Sequence, residues 1–257
     1  MKLFVETQQK IFIIPIAFLC VLFLPLSALS TETLTATAQK YYYGIGAPKN
    51  IHKAFNLYLK AAEKGDVDAM LIVGGLYMQG QGTSVNQAEA FKWLYKAAIN
   101  GRSSKESQRI IAQFFISGKN APQNYSEALH WYKRAANNGD PEAQSELAFL
   151  YSSGKFVGKD YEKAYYWFDI AAKNGYPVAQ YNMGILWYTG NGVPAVDLVR
   201  AYAWFNLVAA NGHSNGEAAK AFLETILSDD ELLKAQDLST KLYREIKRVT
   251  KQPVKNK

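Results

Sequence analysis

The stretch DPEAQSELAFLYSSG, residues 140–154, followed by KFVGKDYEKAYYWFDIAAKNG, residues 155–175, carries the grammar of the whole chain. Asp140 can accept from free amides, Pro141 fits a first helical position, and Glu142 suits the positive end of a helix. Ala143, Leu147 and Tyr151 then recur at intervals of four, which is one apolar stripe on one helical face. Gly154 supplies a residue that takes positive φ easily and so ends that helix. After a short loop Asp160 opens a second helix, with Ala164, Trp167, Phe168, Ala171 and Ala172 as its buried side and Gly175 as its stop. The same sentence is written five times. Its closing glycine stands at Gly65, Gly101, Gly139, Gly175 and Gly212, and eight residues earlier stand Leu57, Trp93, Trp131, Trp167 and Trp204. A second ladder, Gly44, Gly80, Gly118, Gly154 and Gly190, keeps step with the first at spacings of 36 to 38 residues. Two landmarks on one period of this length predict a solenoid of helix pairs.

The other copies obey the same rules. Asn50, Asn86, Asn124, Asp160 and Asp197 stand where each second helix begins, and all are strong N-caps. Three residues before the first glycine comes Tyr41, Tyr77, Phe115, Tyr151 or Trp187. Before the second comes Ala61-Ala62, Ala97-Ala98, Ala135-Ala136, Ala171-Ala172 or Val208-Ala209. Small residues allow close helix approach while the aromatics fill the space between, so the aromatic ladder reads as packed core rather than as a stacking platform.

Spelled out, the pattern is Ala-x-x-x-Leu-(Gly/Ala)-x-x-Tyr-x-x-Gly-x-Gly-Val-x-x-Asp-x-x-Lys-Ala-x-x-Trp-(Tyr/Phe)-x-x-Ala-Ala-x-x-Gly. It resembles the Sel-1-like repeat, a relative of the tetratricopeptide repeat, over residues 35–213. Ala143–Gly175 is the best copy, and Ala179–Gly212 is close to it. The third copy carries two extra residues near Ser103-Ser104-Lys105 and reads Gly118-Lys119-Asn120 where Gly-x-Gly is usual. The first copy is expected to lack most of its first helix. The resemblance implies an all-α, right-handed α/α solenoid of about five pairs, and a role as an adaptor or scaffold. In tetratricopeptide-like arrays the first helix of each pair lines the concave side. With Ala38, Gly74, Ala112, Ala148 and Gly184 as register marks, that face would include Gln39, Tyr42, Gly75, Gln113 and Ser152. Met78, Ile116, Phe149, Tyr181, Ile185 and Tyr188 are its expected protein- or peptide-binding strip, with aromatics as anchors.

Both ends differ from the array. Lys2 and Lys10 precede an apolar run from Ile11 to Leu26, and Ala28-Leu29-Ser30 offers small residues before a cut at Thr31. This is a secretory layout, so residues 1–30 are expected to be a signal peptide and the protein to be exported, periplasmic or secreted. Pro15 and Pro25 in a short run argue against a permanent span, an uncleaved anchor being the alternative. Cys20 follows Phe18-Leu19, which lacks the small residues of a lipoprotein site. Without residues 1–30 the chain has no cysteine, hence no disulfide, and depends on its core. Residues 214–250 are expected to cap the array: a helix from Glu217 to Leu227, then one opened by the capping box Ser228-Asp229-Asp230-Glu231, with the stripe Leu232, Ala235, Leu238, Leu242 and Ile246. Residues 251–257 form a basic tail.

The net charge of +7 is concentrated at the ends: residues 241–257 carry +6 and the first ten +1, leaving the rest balanced. No basic stripe follows the array, so nucleic acid is not the expected partner, and the tail is at most a weak contact for an anionic surface. His52, His130 and His213 show no metal-ligand spacing, and neither a metal nor another cofactor is expected. Ser152-Ser153-Gly154-Lys155 fits the Ser-x-x-Lys of penicillin-recognising enzymes. Its Ser-Asp-Asn and Lys-Thr-Gly partners are missing, and the family branch labelled β-lactamase has a cysteine pair per repeat, which this chain lacks. Asn124-Tyr125-Ser126 fits a glycosylation acceptor, but Asn124 is already a helix cap. The expected function is therefore a monomeric, non-enzymatic scaffold. A hydrolase of β-lactam or cell-wall substrates and a membrane-tethered scaffold are the alternatives.

Overall fold

A computed structural model describes residues 30–251, and among these it contains twelve α-helices and no strand. Ten of them form five pairs: α1 (Thr31–Tyr43) with α2 (Ile51–Glu63), α3 (Val67–Gln79) with α4 (Gln87–Ile99), and α5 (Lys105–Ser117) with α6 (Tyr125–Asn137). The fourth and fifth pairs are α7 (Pro141–Ser153) with α8 (Tyr161–Lys173) and α9 (Pro177–Thr189) with α10 (Leu198–Ala210). Then come α11 (Ser214–Glu224) and α12 (Asp229–Lys251). The expected signal peptide and most of the expected basic tail lie outside the described residues.

Each paired helix is 13 residues long, about 20 Å, so successive pairs stack flush. The lengths are equal because the ends are fixed the same way in every copy. Gly44, Gly80, Gly118, Gly154 and Gly190 cap the first helices in the left-handed conformation. The Asn or Asp before each second helix accepts from a backbone N–H of its first turn. Its own N–H donates back to the carbonyl of the loop-proximal aromatic: Asn50 to Tyr41 at 2.8 Å, Asp160 to Tyr151 at 2.9 Å, and likewise in every pair. The second helices end in Schellman turns. In the first, Gly65 N–H donates to Ala62 O and Asp66 N–H to Ala61 O, so the alanine pair supplies the acceptors as well as the close approach.

Within a pair the small register residue decides how near the helices come. A Cβ at Gly74 would sit 2.6 Å from Leu94 Cγ, and one at Gly184 2.5 Å from Phe205 Cε1. Ala38, Ala112 and Ala148 at the same register are fully buried. The core runs along the array as three adjoining apolar clusters. Leu57, Trp93, Trp131 and Trp204 are buried in it. Trp167, expected to be buried between its own two helices, is half-buried and lies between the second and third clusters.

Two expectations need correction at the ends. The first copy has a complete first helix. Its sequence hides this because threonines are weak helix formers, but Leu34 and Ala38 are fully buried and Ser30 caps it. The expected helix from Glu217 to Leu227 starts earlier and stops earlier, as α11, and Leu227 is buried in the turn beyond it. The next helix begins as expected: Glu231 reaches back to accept from the Ser228 N–H at 2.9 Å and hydroxyl at 2.7 Å. α12 packs on α10, and more lightly on α8, rather than beside α11. Ala235, Ser239 and Ile246 are its buried residues, and Ser239 Oγ donates to Ala203 O while accepting from Asn206 Nδ2 at 3.0 Å.

Candidate functional site: the face of the first helices

The residue after each register mark is Gln39, Gly75, Gln113, Phe149 and Ile185, and the same ladder reaches Phe222 on α11 one period later. Phe149 is 52% exposed and Phe222 51%. Tyr188, 38% exposed, meets Phe222 edge-on at 6.2 Å between ring centroids, and Ile226, in the turn after α11, is 49% exposed. The other members of the expected strip are less open. Met78 and Ile116 are half-buried against the middle cluster. Tyr181 and Ile185 are half-buried against the C-terminal one, with the Tyr181 ring 5.3 Å from Phe205. The strip thus divides into Phe149 and Tyr188, which face solvent, and four residues that help join one repeat to the next. Phe222 and Ile226 were legible only by continuing the period past the last full copy, where α11 reads as a cap.

Beside Phe149 stands a charged group that sequence reasoning did not assemble. Glu142, Glu146 and Phe149 share one face of α7 at spacings of four and three. Arg109 of α5 is 8% exposed and reaches across the repeat boundary. Its Nε is 3.3 Å from Asp140 Oδ2, and its Nη1 is 3.1 Å from Glu142 Oε1. Asp140, 3% exposed, also accepts from Ala143 N–H at 2.7 Å and so caps α7. Glu146 is exposed and makes no hydrogen bond among the described residues. Its carboxyl is pulled above the usual carboxylate range first by the protein crowded around it and then by Glu142, while Arg109 pulls the other way. Burial is also the main reason that the Tyr132 and Tyr176 hydroxyls titrate above the usual phenol range, and the neighbouring carboxylates add to it. Three carboxylates therefore face one guanidinium, an excess of negative charge beside an exposed aromatic ring. The opposite sign gathers on the second helices, at Lys53, Lys60, Lys92, Lys96, Lys133 and Arg134.

Among the described residues no group of three or more His, Cys, Asp or Glu side chains is arranged to hold a metal. Ser152 Oγ donates to Phe149 O and Ser153 Oγ to Leu150 O, so both hydroxyls of the Ser-x-x-Lys stretch are spent on their own helix.

The sequence matches the Sel1 repeat family over residues 35–66, 67–101, 105–140, 141–176 and 177–213, five consecutive copies covering more than half of the chain. The chain belongs to the Sel1 repeat family. Solved structures agree. A Sel1 repeat protein from Oxalobacter formigenes is 33% identical with a TM-score of 0.61, over 71% of this chain and 74% of that one. A protective antigen present in uropathogenic Escherichia coli strains, displaying an SLR fold, is 27% identical with a TM-score of 0.66 over 85% of this chain. This chain spans only 46% of that antigen's length. No curated protein matches the sequence. Together the helix content, the five copies and these neighbours make the fold an all-α Sel1-type solenoid.

Proposed function

We propose that this Sel1 repeat protein is a non-enzymatic scaffold that binds a protein or peptide segment along the face of its first helices. The segment would carry a cationic side chain near an aromatic or large aliphatic one. The single observation behind this reading is the α7 face, where Glu142 and Glu146 stand beside the open ring of Phe149. Exposed aromatics anchor partners, and complementary charge sets register and excludes wrong ones. The family supports the class of function, since Sel1 repeats typically serve as protein-interaction scaffolds. Met78, Ile116, Tyr181 and Ile185 then shape the floor, while Phe149 and Tyr188 make direct contact.

The test is selection of binding peptides from a displayed library, followed by measured affinities. Phe149→Ala with Tyr188→Ala should weaken binding at least tenfold, on the order of 1.4 kcal/mol or more, and leave the melting temperature largely intact. Glu146→Gln should selectively weaken peptides that carry the cation. A double variant that binds normally, or one that unfolds, removes the reading.

We also propose export. Thr31 is the first residue of α1, so a cut before it would leave that helix whole and remove only its Ser30 cap. N-terminal sequencing of protein recovered outside the cytoplasm should begin at or near Thr31. An intact Met1 start in membrane pellets supports the tethered alternative instead.

A further inference from the structure

The last three turns of α12 carry Lys241, Arg244, Lys247, Arg248 and Lys251 against one acid, Glu245. Lys241, Arg244, Arg248 and Lys251 fall at intervals of three, four and three, a single row about 15 Å long. The row points away from the array, because Ala235, Ser239 and Ile246 turn the opposite side of α12 toward α10. All five cations are exposed, and none makes an ion pair among the described residues. Lys247 only leans over the Tyr243 ring, at 5.3 Å. Like charges so close repel one another. The helix dipole rewards cations only within the last turn, so it accounts for Arg248 and Lys251 but not for Lys241 or Arg244, two or more turns earlier. Tyr243 and Val249, both about half exposed, border the packed side instead, about 60° of helix rotation on either side of Ile246.

We propose that this face of α12 docks the protein onto an anionic lipid surface. Charge complementarity names the sign of the partner, and the arrangement names its form. A nucleic acid needs a path of cations to follow, yet outside residues 241–257 and the first ten the sequence is balanced, so the row leads nowhere. A bilayer needs no path: its mobile headgroups can gather under a straight row of cations. Among the described residues no helix is long and apolar enough to cross a membrane, so contact through α12 is adsorption to the surface. The peptide-binding face of the first helices is separate from this row, and the two can be occupied together.

The test is co-sedimentation of the full chain with vesicles of neutral phosphatidylcholine or of phosphatidylcholine with about 30% phosphatidylglycerol. The N-terminal segment, with its apolar run and net charge of +1, is the same in wild type and variant, so the readout is the change in anionic preference between them. Wild type should prefer the anionic vesicles, and the preference should fade at ~0.5 M salt, where screening is strong. Each cation removed from the row should cost roughly fivefold, so Lys241→Gln with Arg244→Gln and Arg248→Gln should lower the anionic preference about a hundredfold. The same variant should melt as wild type does, since the three side chains are exposed. Equal binding of wild type to both vesicles overturns the proposal. So does a triple variant that keeps the preference, or tighter binding to an oligonucleotide or polyglutamate than to the anionic vesicles.

Discussion

The third residue of the second helix is Lys53, Glu89, Glu127, Lys163 and Arg200 in the five repeats, and it decides how each pair finishes its aromatic packing. Where it is Glu, it accepts from the indole N–H four residues on: Trp93 and Trp131 each donate at 3.1 Å. Where it is a cation, it lies over the loop-proximal aromatic instead: Lys53 over Tyr41 at 4.1 Å, Lys163 over Tyr151 at 5.5 Å, Arg200 over Trp187 at 4.3 Å. Lys163 has no acceptor to offer Trp167, which is half-buried, whereas Trp204 after Arg200 is buried without one. Trp131→Ala should therefore cost about 3–5 kcal/mol in denaturant melts, the range for a core aromatic, and Trp167→Ala clearly less. Equal losses would show that the indole N–H partner is irrelevant. A second residue-scale device sits two positions after the first glycine. A Cβ at Gly192 would run into the Tyr161 carbonyl oxygen, and φ there is +71°. Phe156 holds the same left-handed conformation at the matching place, where its ring stacks on Tyr125 at 3.4 Å. Gly192→Ala should destabilise by about 2 kcal/mol, combining backbone strain with the clash. A melt unchanged by that substitution would mean the loop yields.

At the scale of elements, the repeats are fastened to one another by polar side chains that the periodic pattern does not advertise. Thr35 donates to the α3 cap Asp66 at 2.7 Å, and Arg109 does the corresponding work at the α7 cap Asp140. Arg109→Ala would leave Asp140 buried without its counter-charge, a loss on the order of 3 kcal/mol. Thermal melts of that variant beside Glu142→Ala, whose carboxylate is half-exposed, should show a much larger drop for Arg109. Comparable drops would place the interaction at the surface. The same cluster predicts a pH effect. Glu146 has a folded-state pKa above its unfolded value, so folding disfavours its ionised form. At neutral pH it subtracts from stability, and this loss vanishes as the pH falls through the raised pKa. Glu146→Gln should raise Tm at neutral pH, and the gain should shrink on acidification as wild-type Glu146 takes up its proton. A gain that grows toward acid pH would contradict the sign.

Over the whole molecule, what repeats was legible and what happens once was not. Caps, glycine stops, alanine pairs and buried tryptophans follow from a period, because each is fixed by neighbours a few residues away. The full first helix, the Arg109–Asp140 tie and the seat of α12 depend on contacts 31 or more residues apart, or on weak helix formers, and no local pattern encodes them. The two extra residues of the third copy are the clearest case, since their sequence marks a longer turn but not its mechanical consequence. Elsewhere one residue separates the closing glycine from the next first helix. Between Gly101 and Lys105 there are three, Arg102, Ser103 and Ser104. In the later repeats a glutamine locks the incoming helix to the preceding alanine pair: Gln144 Nε2 donates to Ala136 O and Gln180 Nε2 to Ala172 O. Gln108, at the matching place, donates to Ser103 Oγ inside the loop instead. The α4 and α5 helices are accordingly the most widely spaced neighbours in the array, joined mainly by the rings of Phe91 and Tyr95 against Phe114 and Phe115 at 5.3 to 5.8 Å, while Arg102 turns back to pair with Asp68 of α3 at 2.8 Å. Repeat arrays couple through nearest neighbours, so they part where one interface is weak. Native-state hydrogen exchange should resolve two units, residues 31–99 and 105–251, that lose protection at different denaturant concentrations. Limited trypsin digestion should cut the array first at Arg102, whose side chain is 63% exposed. Grafting the shorter junction by deleting Arg102 and Ser103, which keeps the Ser104 cap of α5, should make the two exchange profiles merge if the loop is the cause. A single cooperative unit in the wild type, or a first array cut elsewhere, would assign the array one continuous core.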